Sequence, residues 1–82
     1  MDVVQLLGAN VRHYRKLKGM SQERLALDAG MERSYVSDLE RGTRNPSVRA
    51  LGRLAYALNV PPSDLLKTFQ ITRIDASQGS GA

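Results

Sequence analysis

Residues 21 to 46, SQERLALDAGMERSYVSDLERGTRNP, decide how this chain folds. They read as two short helices around a glycine turn, the second with a polar, basic outer face. Leu25, Ala26 and Ala29 are the small or apolar positions of the first of these helices, Gly30 breaks it, Met31 re-enters the core, and Val36 and Leu39 anchor the second. Two helices crossing this closely need a methyl-sized contact at Ala26. The sharp turn favours a residue that accepts positive φ, which Gly30 does without penalty.

Working outward, Asp2 suits the N-cap of a first helix running to about Lys18, with Leu7, Val11 and Tyr14 at helical spacing and Gly19 as its stop. Ser21 caps the second helix, Gln22 to Ala29, although Arg24 in place of Glu or Gln leaves the reciprocal capping box incomplete. The third helix spans about Arg33 to Arg41 and is released by Gly42. Pro46 and Ser47 open a fourth, Val48 to Leu58, whose Val48, Leu51, Leu54, Ala55 and Leu58 form one apolar arc. Pro61 and Pro62 end that pattern. A short fifth helix from about Pro62 to Lys67 would bury Leu65 or Leu66 and close the bundle. There is no internal repeat and no useful strand-like alternation, so the class is all-α: a compact bundle of about five short helices. Residues 1 to 70 form the folded domain and 71 to 82 a C-terminal extension. From about residue 75 the run is too small and polar to pack and is read as flexible.

Eighty-two residues make one small domain, whose core is marginal without good helix packing or a partner subunit. With no cysteine, neither a disulfide scaffold nor a thiolate zinc site is possible, and the single histidine, His13, lacks the companions of a metal or catalytic cluster. No cofactor and no small-molecule ligand is implied. An enzyme reading fails on the same inventory. Apolar stretches are short and no basic-then-apolar leader opens the chain, so a cytoplasmic protein without a membrane partner is expected. Twelve Lys and Arg against eight Asp and Glu give a formal charge of +4, a hint of polyanion partners. Arg12, Arg15, Lys16 and Lys18 share one helical stretch with no acid. Arg33, Arg41, Arg44, Arg49 and Arg53 follow the turn, with Asp38 and Glu40 between them.

Four segments in fixed order, GMSQERLA at Gly19 to Ala26, YVSDLERG at Tyr35 to Gly42, RNPS at Arg44 to Ser47 and LGRLAYALNVPPSDLL at Leu51 to Leu66, resemble the phage repressor and Cro-type helix-turn-helix proteins, also called the xenobiotic-response-element family. The resemblance covers roughly residues 5 to 67. It implies a lambda-repressor-like DNA-binding domain whose third helix reads double-stranded DNA. It further implies that Gln22, at the start of the second helix, touches the DNA backbone through the free amides there. Arg44 and Asn45 look like the family's backbone-contacting loop, although Asn45-Pro46 also makes a turn. The family pairs an arginine of the first helix with a glutamate ending the reading helix, and Arg15 and Glu40 occupy those positions. Such a pair fixes the tilt of the reading helix, and an unpaired Glu40 on the inner arc would be costly to bury. One departure is Glu32, which stands where relatives place Ser or Thr. Its charge suits the helix dipole but repels a phosphate.

At about 100° per residue, Arg33, Ser37, Arg41, Ser34 and Asp38 follow one another round one arc of the third helix, while Tyr35, Leu39, Val36 and Glu40 fill the rest. The major groove admits one α-helix, and side chains near its N-terminal end read base edges. Arg33 suits guanine O6 and N7. Ser34 and Ser37 fit backbone or base contacts equally. Asp38 either accepts from cytosine N4 or orients Arg41 or a neighbouring arginine. Tyr35 faces either the core or the backbone phosphates.

The expected function is that of a sequence-specific regulator of transcription, a repressor or autoregulator binding an inverted repeat as a homodimer. The alternative is a protein-interaction module, an antitoxin or controller-type subunit, with DNA binding secondary. A dimer contact is expected on helices four and five, with Tyr56, Leu66, Phe69 and Ile71 as candidates. The competing reading folds Phe69 and Ile71 back over the monomer's own core.

Overall fold

The computed structural model describes residues 2–68. Four α-helices, α1 (Val3–Leu17), α2 (Gln22–Ala29), α3 (Arg33–Glu40) and α4 (Val48–Leu58), precede a 3-10 helix at Pro62–Leu66. Each start has a local cause. The Asp2 carboxylate accepts from the amides of Val4 (2.7 Å) and Gln5 (3.0 Å), Ser21 Oγ from that of Arg24 (3.0 Å), and Ser47 Oγ from that of Ala50 (3.0 Å). These side chains satisfy helix amides that have no intrahelical partner. Glu32 opens α3 without a side-chain cap. Gly30, at φ 70°, closes α2 in the left-handed conformation, and the Met31 amide then donates to the Ala26 carbonyl at 3.0 Å. α4 ends on Asn59 in the same conformation (φ 58°), reached there without glycine.

The core lies where all five elements meet. Val11 of α1, Leu25 of α2, Val36 and Leu39 of α3, Leu54 and Leu58 of α4 and Leu65 of the 3-10 helix are fully buried. α1 crosses α3 at Gly8 so closely that a β-carbon on Gly8 would stand 2.2 Å from the Leu39 carbonyl oxygen. Asn10, also fully buried, donates from its side-chain amide to the carbonyls of Leu65 and Lys67, both at 2.8 Å. A polar side chain in the core thereby ties α1 to the last element.

Several expectations need correction. The fifth segment is not an α-helix from Pro62 to Lys67 but a 3-10 helix at Pro62–Leu66. Pro61 and Pro62 contribute no amides, the segment is too short to propagate α-helical bonding, and Asn10 takes the carbonyls at its end. α3 stops at Glu40, with Arg41 as its C-cap, and α1 stops at Leu17. Of the two leucines, Leu65 is buried and Leu66 exposed. Val48 does not belong to the buried arc of α4: it is 84% exposed, whereas Ala50 in the same first turn is buried, so the arc is centred towards Ala50 and Leu54 and leaves Val48 at its edge. Phe69 and Ile71, with the extension 71 to 82, lie outside the described residues. Among the described residues there is no strand, and no helix is long and apolar enough to cross a membrane.

Candidate nucleic-acid interface

α2 and α3 meet around Gly30 and present the first residue of α2 and the outer arc of α3. An ion pair sets their relative position. Arg15 of α1 donates from Nε to Glu40 Oε2 (2.6 Å) and from Nη2 to Glu40 Oε1 (3.0 Å), a two-pronged grip that matches the planar guanidinium to the carboxylate. Its Nη1 donates to the Met20 carbonyl at 2.8 Å, in the turn before α2. The Glu40 side chain is 3% exposed and that of Arg15 11%. Gln22, half-buried at the start of α2, donates from Nε2 to Glu40 Oε1 at 3.1 Å. One buried carboxylate thus joins the end of α3 to α1 and to the start of α2. The hydrogen bond and charge of Glu40 hold the Arg15 guanidinium above its ordinary pKa, against the lowering effect of burial.

On the outer arc, Arg33 and Ser34 are exposed in the first turn of α3, and Arg33 makes no hydrogen bond or ion pair among the described residues. The Glu32 carboxylate leaves the free amides of that turn uncapped. Arg41 is engaged, donating from Nη1 to Ser37 Oγ (2.9 Å) and from Nη2 to Asp38 Oδ1. Arg44 brings Nη2 to 3.5 Å from Asp38 Oδ2 and lays its guanidinium over the Tyr35 ring, 4.6 Å from the centroid. Thr43 Oγ1 donates to the Asp38 carbonyl at 3.1 Å, holding the loop that carries Arg44 against α3. Ser37, Asp38, Arg41 and Arg44 therefore form one cluster, while Arg33 and Ser34 stand free of it. Asn45 is exposed in the same loop and lines a separate shallow groove with Val3, Pro46, Val48, Leu51 and Leu66.

The groove beside Asn45 contains Leu66, whereas Tyr56, 87% exposed, lines another with Leu27, Arg49 and Arg53. The two residues named together as a dimer contact thus lie in different grooves. Phe69 and Ile71 lie outside the described residues. Sequence reasoning missed the link from Gln22 to Glu40 and the stacking of Arg44 on Tyr35. Both pairs depend on how α2, α3 and the following loop cross, which no local pattern records. No group of three or more His, Cys, Asp or Glu able to hold a metal ion occurs among the described residues.

A family model described as helix-turn-helix matches residues 11–65, which includes α2, α3 and α4 whole. The chain belongs to the helix-turn-helix family. Membership makes it a DNA-binding regulator of transcription and not an enzyme. Among its relatives is the control protein C.BamHI of Bacillus amyloliquefaciens, 48% identical over 62 residues that make up 74% of this chain and 76% of that protein. The crystal structure of the restriction-modification controller protein C.AhdI from Aeromonas hydrophila is similar at a TM-score of 0.74 and 44% identity, over 76% of this chain and 94% of that one. A third helix-turn-helix relative, the master regulator for biofilm formation SinR, was solved in complex with DNA. It aligns at a TM-score of 0.71 and 39% identity, over 74% of this chain and 98% of that one.

Proposed function

We propose that this regulator is a repressor or autoregulator which acts in the cytoplasm and binds a short inverted repeat of duplex DNA as a homodimer. The observation that carries the reading is the outer arc of α3, where Arg33 is exposed and unengaged in the first turn of a helix that the Gly30 turn sets beside α2. That is the end of a reading helix from which side chains reach base edges. Arg33 has the donors for guanine O6 and N7, and Ser34 and Ser37 have hydroxyls for base or backbone. Gln22, Arg44 and Asn45 position the protein on phosphates.

With the duplex that the protein selects from a random pool as probe, Arg33→Ala is expected to weaken binding by roughly 1 to 3 kcal/mol and to relax preference at one base pair per half-site. Gln22→Ala, which keeps the backbone amide but removes the side chain that fixes this helix start to Glu40, is expected to weaken all sequences alike. A Gln22→Ala protein with changed base preference, or an Arg33→Ala protein with unchanged preference, reverses the two roles.

One small domain reads only a few base pairs, and two reading helices about 34 Å apart address two half-sites on one side of the duplex. Of the two grooves, the one at Leu66 suits a self-association contact, because Val3, Val48, Leu51 and Leu66 offer apolar surface with no charged residue among them. Val48→Asp, a change on the exposed first turn of α4, is expected to shift the sedimentation equilibrium of a dimer to monomer without altering helix content. A wild type that stays monomeric at high micromolar concentration removes the dimer from this reading.

A further inference from the structure

The cluster at the C-terminal end of α3 has an arrangement that DNA contact alone does not explain. Arg41 and Arg44, two of the cations available to phosphates, are both engaged by one carboxylate. Asp38 Oδ1 accepts from Arg41, and Asp38 Oδ2 lies 3.5 Å from Arg44. Each arginine has a second holding contact on the protein, Arg41 with Ser37 Oγ and Arg44 with the Tyr35 ring. Both oxygens of Asp38 therefore face arginines, so accepting from a base amino group would first require a guanidinium to leave. The pairs are also exchangeable, since the Arg41 and Arg44 side chains are 63% and 45% exposed, and exposed ion pairs are individually weak.

We propose that Asp38 is a specificity-determining residue that withholds Arg41 and Arg44 from phosphates in arbitrary register. The inference rests on the reading of α3 as the DNA-reading helix. Non-specific binding is driven by cations that neutralise phosphates, whatever the sequence. A carboxylate among those cations competes with every phosphate they approach. On a matching site Arg33 and the serines hold the helix in register, and the two guanidiniums exchange Asp38 for fixed DNA acceptors. On a random site that exchange lacks support from base contacts. Specificity is a difference between affinities, and an element that weakens the wrong complexes raises it as surely as one that strengthens the right one.

The test measures wild type, Asp38→Asn and Asp38→Glu by fluorescence anisotropy, on random-sequence duplex and on the duplex selected by the wild type, over a series of salt concentrations. Asp38→Asn is expected to bind random duplex about threefold to tenfold more tightly and to steepen its salt slope by about one, as one more phosphate is neutralised. The preference for the selected duplex should fall by a similar factor. Asp38→Glu, which keeps the charge, should retain the wild-type slope. In an Arg41→Ala, Arg44→Ala background the effect of Asp38→Asn should shrink to under twofold. Three results overturn the proposal: unchanged random-duplex affinity and slope in Asp38→Asn, an effect that persists in full without the two arginines, or preference lost at a single base pair with random binding unchanged, which makes Asp38 a direct base acceptor. A wild type that does not prefer its selected duplex refutes the reading of α3 itself. The salt slopes on random duplex would then still decide whether Asp38 withholds Arg41 and Arg44 from phosphates.

Discussion

Gly8→Ala is expected to destabilise the fold by about 3 kcal/mol or more, although alanine is the better helix former by up to about 1 kcal/mol. The added β-carbon would stand 2.2 Å from the Leu39 carbonyl oxygen and 3.3 Å from the Glu40 Cα and carbonyl carbon. All three are backbone atoms of α3, so no side-chain rotation relieves the overlap, and α1 and α3 must move apart. That movement loosens Leu39 in the core and shifts Glu40 away from Arg15. For a domain of this size the melting midpoint should fall by more than about 12 °C. The sign of the change is decisive. A neutral or stabilised Gly8→Ala protein in urea denaturation would show that helix propensity alone operates at this position and that α1 and α3 are not in such close contact.

Arg15→Ala is expected to cost about 3 to 5 kcal/mol, because it leaves a carboxylate that is 3% exposed with only the Gln22 amide as donor. The Met20 carbonyl loses a donor as well. Glu40→Leu in the same chain should recover part of the loss by removing the unpaired charge, so the two changes should be far from additive. Denaturant midpoints of the two single variants and the double variant measure this coupling. A neutral Arg15→Ala protein would show that Glu40 is not sequestered in solution.

What the sequence made legible was what local chemistry determines. Asp2, Ser21 and Ser47 announce helix starts because each supplies an oxygen to amides two or three residues ahead. Gly30 announces the turn because φ 70° is open to glycine. The outer arc of α3 follows from helical period. Gly8 carried no such mark, since the need for it comes from a backbone more than thirty residues away. Asn10 read as an ordinary helix residue, yet it bonds to carbonyls 55 and 57 positions on and helps to set the last element as a 3-10 helix. Val48 fitted the apolar arc by spacing, but it stands at one edge of that arc, and spacing does not say which edge the neighbouring elements cover. In the site, Arg15 and Glu40 were named from resemblance. The third member, Gln22, joins only through the crossing of α2 and α3.

Selection of bound duplexes from a random pool by the full chain tests the central claim, that the α3 face reads DNA in a two-fold complex. The expected result is a two-fold-symmetric motif with half-site centres about one helical turn or a multiple of it apart, containing in each half one guanine whose preference disappears when Arg33→Ala is put through the same selection. Recovery of no enriched sequence, or of a motif that Arg33→Ala recovers unchanged, would contradict it.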